Sequence, residues 1–304
     1  MAAISIVMAV YNGAATLAAT MDSILAQSET GFELLAVDDG STDATPSMLA
    51  GYAARDPRVR VLTQPNAGLT RALIRGCDEA KGTLIARHDC GDRSHPDRLR
   101  RQREVLDANP GVVLVTCSTL YLGPAGEPLY IVETDGAEIR RSLLHDGIDD
   151  IRGLTHHGTA MFRRNAYATA GGYRAEFRVA QDLDLWLRMA PLGEVAVVPQ
   201  VLYEAVIDVG SISASRRDEQ VASAEIALQW RDAKTDEERT ALLKKAAAIV
   251  PQKKRDAAGE ARALYFIASC LRRTRHPHWT RYARRAIRRD PFYLRAWLLL
   301  LRWR

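Results

Sequence analysis

The chain has 304 residues, 47% of them hydrophobic, which is enough apolar material for one large domain or two. No apolar run reaches the roughly 18–20 residues of a membrane span, and the opening MAAISIVMAVYNG has no basic n-region and enters a strand pattern at once, so neither a span nor a secretory leader is expected. The net charge of +5 is uneven: residues 216–304 carry 22 Lys and Arg against 10 Asp and Glu, a balance of +12, which leaves −7 on residues 1–215.

ISIVMAVY (4–11) is apolar and β-rich, the pattern of a buried parallel strand. NG ends it, and AATLAATMDSILAQS predicts a helix. FELLAVDD (32–39) predicts a second strand, and GSTDATPSMLAGYAARDP opens as a loop with N-cap residues before continuing as a helix. VRVLTQ (59–64) predicts a third strand, AGLTRALIRGCDEAKG a third helix and TLIARHD (83–89) a fourth strand. This alternation predicts the α/β class, with a mostly parallel central sheet flanked by helices. After Pro96, DRLRRQREVLDANP predicts a helix, GVVLVTCSTLYLG a central strand and PAGEPLYIVE its hairpin partner. HHGTAMFRRNAYATAGGYR mixes a strand with a glycine turn, and DLDLWLRMAPLG is a short helix followed by EVAVVPQVLYEAVI. The α/β body is expected over residues 1–215. Residues 216–304 form a basic, helical C-terminal region, with stops near Pro251, Pro277 and Pro291.

In sheets of this class, ligands bind beyond the carboxyl ends of the strands. Three polar clusters fall there: Tyr11 with Asn12, Asp38 with Asp39, and Asp89 through Asp92. One acidic turn carries little information; three polar strand ends on one edge carry more. The glycines form no GxGxxG fingerprint and no GxxxxGK[ST] loop, which disfavours a nicotinamide or flavin site and excludes P-loop chemistry. There is no GxSxG elbow, and the adjacent His156 and His157 lack a HExxH pattern. Cys77, Cys90, Cys117 and Cys270 lie far apart with no zinc-like spacing, which suits a reducing compartment.

ISIVMAVYNGAATLAATMDSILAQS, LLAVDDGSTDAT, NAGLTRAL, ARHDCGDRSHPDRLRRQ and GGYRAEFRVAQDLDLWLR, in that order, resemble glycosyltransferase family 2, the nucleotide-diphospho-sugar transferases of the GT-A fold. The resemblance spans roughly residues 3–210 and leaves the C-terminal region outside it. It implies a bound Mg²⁺ or Mn²⁺ that neutralises the diphosphate leaving group, held by carboxylate oxygens. Asp89 takes the first place of the family's Asp-x-Asp motif. The chain then departs from the pattern: Gly91 stands where the second metal aspartate is usual, and Asp92 is the candidate replacement, a water-mediated ligand or a turn cap. Cys90 has no partners for a soft-metal site and reads as a spacer.

By the same resemblance, Ala9 belongs to the nucleotide-binding set, Tyr11 flanks the base, and Asp39 accepts a uracil-type N–H. The structural alternatives are a core edge for Tyr11 and support of the DGSTD turn for Asp39. Asp38 is assigned to the loop. Arg71 is a candidate diphosphate contact, although relatives carry their basic residue two positions later, at Leu73 here. His157 matches a polar position near the donor sugar or pyrophosphate, with a structural histidine as the alternative. Asp182, after Gln181 in the place of a family glutamate, is the candidate general base; its alternative is a helix cap. The preceding GGYR is expected to let backbone approach a ligand. Asp184 points elsewhere, and Trp186 reads as core, with the floor of the acceptor pocket as its alternative.

The expected activity is transfer of a sugar, UDP-linked by the Asp39 argument, from a nucleoside diphosphate donor to an acceptor hydroxyl, with inversion. Relatives imply cell-surface polysaccharide, lipopolysaccharide or glycolipid synthesis and a glycan or lipid-linked acceptor. The expected location is cytoplasmic, peripheral on the cytoplasmic face of the membrane. AWLLLL is too short to cross a bilayer. Arg284, Arg285, Arg288, Arg289, Arg295, Arg302 and Arg304 surround it, with Tyr293, Trp297 and Trp303 suited to headgroups, which fits an anionic membrane surface. The alternative is that Phe292, Leu294, Leu298 and Leu301 pack the helix onto its neighbours. Gly91 and Gln181 motivate a second reading, a degenerate GT-A domain that binds nucleotide or glycan without turnover. The basic tail has no helix-turn-helix or zinc pattern, which disfavours nucleic acid, and VYNGAATLAAT lacks the glycine-rich basic loop of a nucleotidyltransferase.

Overall fold

The computed structural model describes residues 3–207, 217–249 and 257–301. The expected body boundary at 215, the stop at Pro251, and Arg302, Trp303 and Arg304 lie outside them. Strands β1 (Ile4–Val10), β2 (Phe32–Asp38), β3 (Val59–Thr63) and β4 (Leu84–Asp89) pair in parallel in the order β3-β2-β1-β4. Helices α1 (Ala14–Leu25), α2 (Thr45–Arg55) and α3 (Leu69–Asp78) make the crossovers. A two-residue strand β5 (Arg93–Ser94) and helix α4 (Arg98–Ala108) follow. Then come β6 (Val112–Leu122), β7 (Pro128–Val132), α5 (Gly136–His145), β8 (Met161–Arg163), α6 (Arg164–Thr169), α7 (Gln181–Met189) and β9 (Glu194–Val206). The sheet continues β4-β8-β6-β9-β5, with β8 antiparallel to both neighbours and β7 paired to β6. It is therefore parallel at one end and mixed at the other.

Both faces of the parallel half are covered, which is why its strands read as continuous apolar runs. Ile4, Ile6, Met8 and Val10 of β1 point into a cluster with Leu17, Met21 and Ile24 of α1 and Leu99 and Leu106 of α4. Val7, one residue out of phase, points to the other face with Leu73 of α3, Ile139 and Leu143 of α5 and Leu185 of α7. Trp186 is core, as read from the sequence.

The thirteen-residue β9 contains Pro199 and still pairs with β6. The register jumps there, from Cys117 opposite Val198 to Ser118 opposite Val201, because proline has no N–H for the ladder. Helix α5 was not anticipated, although Asp135 caps it by accepting from Glu138 N at 2.9 Å. Its first residue, Gly136, lies so close to β9 that a Cβ would sit 2.1 Å from the carbonyl oxygen of Val195. We expect Gly136→Ala to push α5 off the strand and lower stability by ~1–3 kcal/mol, read as a fall in the urea midpoint.

The C-terminal helices pack in two places. Helices α8 (Arg217–Asp232) and α9 (Asp236–Ala248) extend the second face of the sheet through Ala227, Leu228 and Ala246. Helices α10 (Ala257–Arg273), α11 (Trp279–Arg289) and α12 (Leu294–Leu301) have their own core of Leu264, Ile267, Leu271, Trp279 and Tyr282, closed by Leu129 of β7. Buried Glu127, in the turn of the β6–β7 hairpin, ties this group down by accepting from Tyr282 Oη at 2.9 Å, with His278 Nδ1 at 3.0 Å.

Candidate active site

The parallel register places the predicted residues on one edge: Val10 lies opposite Asp38, and Ala9 lies opposite both Val37 and Asp89. The loops after β1 and β2 are laced together. Asn12, at φ 52°, accepts from Thr42 N at 2.7 Å, and its own N–H donates to Ser41 Oγ at 2.9 Å. Ala9 is half-buried against the apolar layer beneath, and Tyr11 stands 47% exposed at the rim. Asp38 accepts from Ser41 N at 3.0 Å and so supports its loop, as expected. Asp39 reaches across to the segment before α3, accepting from Gln64 Nε2 (2.7 Å), Ala67 N (2.9 Å) and Gly68 N (2.8 Å). The DGSTD turn is thus held by Asp38, and Asp39 shapes the neighbouring loop. Arg71 is exposed on the first turn of α3 with no ion-pair partner among the described residues.

Asp89, Cys90, Gly91 and Asp92 form a turn closed by Asp92 N donating to the Asp89 carbonyl at 3.3 Å. Gly91, third in the turn, has φ 109°, a conformation that an aspartate there would strain. The turn swings Asp92 back beside Asp89. The two carboxylates and His156 offer ligand atoms that all lie within 4.8 Å of one another, with His156 Nδ1 3.8 Å from Asp89 and 3.7 Å from Asp92. The residue that breaks the family pattern is the one that lets its neighbour complete the cluster. Cys90 stays outside it, near Thr16, and burial pushes its thiol up to about 11.

Arg87, wholly buried, lies under this turn. It pairs with Asp89 Oδ1 and donates to the carbonyls of Val7 (3.0 Å) and His88 (2.7 Å). Burial opposes ionisation of Asp89, but Arg87 with the nearby histidines outweighs it and holds the carboxyl well below the usual range. Asp92 has no such cation. Burial raises it to about 6, against a lowering by His156, while Tyr203 Oη and Val206 N each donate to it at 2.9 Å. Two carboxylates and an imidazole suit a divalent cation that accepts mixed oxygen and nitrogen ligands. Gly158 N donates to His156 Nδ1 at 3.0 Å, so this ring ligates through that atom only by exchanging the bond.

Sequence reasoning chose His157 and passed over His156, Arg87 and Tyr203. The backbone is extended at His156 and turns into a 3-10 segment at His157, so the two rings diverge. His157 Nε2 meets Tyr173 Oη at 2.8 Å and Arg87 Nε at 3.4 Å, and burial with Arg87 pushes its pKa down to about 4. The ring also stands edge-on to Trp186 of α7, with centroids 6.0 Å apart, so it lies between Arg87 and that helix. Arg87 was readable: an arginine inside an apolar strand, two residues from Asp89, shares its face of the sheet.

Asp182 lies in the first turn of α7 and does not cap it. The N-cap is Ala180, at φ 55°, and nothing among the described residues hydrogen-bonds the Asp182 carboxylate. Asp184 faces the interior, gripped by Arg174 and by Arg188 at 2.6 Å. The GGYR glycines stand at a helix end. Gly171 and Gly172, at φ 79° and 66°, end α6, and a Cβ on Gly172 would lie 3.0 Å from the Tyr167 ring, so glycine suits this helix stop.

A family model described as Glycosyl transferase family 2 matches residues 5–170. EpsE of Bacillus subtilis (strain 168), named as a glycosyltransferase, is 35% identical over 189 residues, 61% of this chain and 66% of EpsE. The chain spans smaller shares, 23% and 36%, of two further curated relatives. Among solved structures, S. aureus TarS 1-349 in complex with UDP-GlcNAc superposes at a TM-score of 0.61, with 16% identity over 94% of this chain and 88% of that one. The mannosyltransferase PcManGT from Pyrobaculum calidifontis, in complex with GDP-Man and Mn²⁺, gives 0.56, with 21% identity over 90% and 75%. The chain belongs to glycosyltransferase family 2 and has the GT-A fold.

Proposed function

We propose that the chain transfers a sugar from a nucleoside diphosphate donor to a hydroxyl of a glycan or lipid-linked acceptor in polysaccharide or glycolipid synthesis, with inversion. The observation that carries this is the Asp89–Asp92–His156 cluster at the carboxyl edge of the sheet, together with an Asp182 carboxylate in the first turn of α7 that no hydrogen bond among the described residues engages. Asp89 and Asp92, with His156 once its bond to Gly158 is exchanged, would hold Mn²⁺ or Mg²⁺. The imidazole favours Mn²⁺, because Mg²⁺ prefers oxygen ligands. Such an ion supplies charge neutralisation for the departing diphosphate. Tyr11 offers its exposed ring to the base. Asp39 keeps about one of its four acceptor positions free after three hydrogen bonds, which suits the single imide N–H of uracil. Arg71 stands at the same edge, free to meet the diphosphate.

In the reaction, the acceptor oxygen attacks the anomeric carbon as Asp182 takes its proton. The sugar–phosphate bond breaks and the diphosphate leaves with the electron pair, so one displacement inverts the centre. A calorimetric panel of UDP- and GDP-sugars, with Mn²⁺ and then with chelator, tests the reading. One donor is expected to bind, at least about tenfold more tightly with Mn²⁺, and to be consumed when acceptor is supplied. Binding without turnover for every acceptor tried would favour the degenerate, binding-only reading.

A further inference from the structure

Helices α11 and α12 present a surface that the transfer chemistry does not use. α12 is apolar on all sides except at Arg295. Its inner face, Ala296, Leu299 and Leu300, packs into the third core. Its outer face, Leu294, Trp297, Leu298 and Leu301, follows the i, i+3, i+4, i+7 spacing of one helical stripe and is exposed, Leu294 to 71% and the preceding Phe292 to 90%. The alternative in which Phe292, Leu294, Leu298 and Leu301 pack against neighbours is therefore overturned. Tyr293, expected at the rim, instead turns inward, edge-on to Tyr265. The Trp297 indole N–H donates to the carbonyl of Pro291 at 2.9 Å, which holds the ring against the turn.

The same two helices carry five exposed arginines, Arg281, Arg284, Arg285 and Arg288 on α11 and Arg295 on α12, none in an ion pair among the described residues. The one acidic residue of these helices, Asp290, is engaged by Phe292 N at 3.0 Å. No helix of the described residues is long and apolar enough to cross a bilayer. We propose that this face seats on an anionic phospholipid surface, with the apolar stripe in the acyl boundary and the arginines at the phosphates. A second copy fits less well, because a symmetric contact would set these arginines against their own equivalents with no carboxylate between them. The neighbouring helix α10 reaches toward the site through a row of rings. Phe266 of α10 meets Tyr130, Tyr130 stacks on Tyr121, and Tyr121 meets His156.

The test is sedimentation of the full chain with phosphatidylglycerol and with phosphatidylcholine vesicles, at low and high salt. Pelleting is expected with phosphatidylglycerol at low salt, with release at high salt and little pelleting with phosphatidylcholine. Arg284→Gln with Arg288→Gln is expected to weaken the partition coefficient about fivefold per arginine. Leu294→Asp with Leu298→Asp, both at exposed positions, is expected to weaken it at least about tenfold with the circular dichroism spectrum unchanged. The proposal fails if the intact chain stays in the supernatant with phosphatidylglycerol at low salt, or if the leucine variant pellets like the parent. It fails equally if lipid-free ultracentrifugation shows a dimer that the leucine variant abolishes. None of these readouts depends on sugar transfer, so the proposed function stands or falls separately.

Discussion

Asp182→Asn is expected to bind the nucleotide sugar as tightly as the parent chain and to lose transfer by about 10²–10⁴-fold. The size of the loss is that of a positioned general base. The substitution keeps the shape of the side chain and removes the lone-pair basicity that takes the acceptor proton. Donor affinity should hold because the nucleotide contacts proposed above, at Tyr11, Asp39 and the Asp89 cluster, do not include Asp182. The fold should hold as well, because Asp182 makes no hydrogen bond among the described residues and does not cap α7. Asp184→Asn is the matched control. It removes the charge that buried Asp184 sets against the partly buried Arg174 and Arg188, so it should cost stability first and activity only in consequence. Single-turnover transfer, paired with calorimetry of the donor, separates the two. Near-parental transfer by Asp182→Asn would show that the carboxylate only decorates the helix start.

What was legible in the sequence followed from where local pattern and tertiary burden agree. β1, β2 and β4 are covered on both faces, so their apolar runs and polar ends could be read directly, and the register then put Asp38 and Asp89 on one edge. β5 has two residues and exists only because β9 lies beside it, so no local pattern announces it. α6 was read as part of a glycine turn because its six residues are too few for a period. His156 was invisible for a different reason. Its role depends on a backbone change within the His156–His157 pair, which turns the rings apart, and adjacency alone cannot show that. Gly91 looked like a defect in the metal motif, and only its positive φ shows why an aspartate is unsuited there while Asp92 returns to the cluster.

Asp89→Asn is expected to abolish the dependence of donor binding on Mn²⁺ and to lower transfer by about 10²–10⁴-fold, the several kcal/mol that a bound cation contributes to a departing diphosphate. Two effects need separating. The substitution leaves the buried Arg87 guanidinium without its carboxylate, which costs up to ~3 kcal/mol of stability because Asp89 is itself partly reached by solvent. A melting curve must therefore show that the variant is folded at the assay temperature. His156→Gln leaves the Arg87–Asp89 pair in place and should weaken Mn²⁺ by about 10–100-fold, so it reports on the cation without stranding Arg87. The pH dependence supplies a third handle. Burial raises Asp92 to about 6, above its value in the unfolded chain, so the cation-free site holds a proton there below that pH. A cation must displace this proton, so its affinity should fall as pH drops through about 6, by up to about tenfold per unit for one proton. Asp92→Asn should bind the cation more weakly and lose that slope. Donor affinity that is the same in chelator and in Mn²⁺, for the parent and for Asp89→Asn alike, would leave the cluster without a cation and return Asp89 to the role of a counter-charge for Arg87.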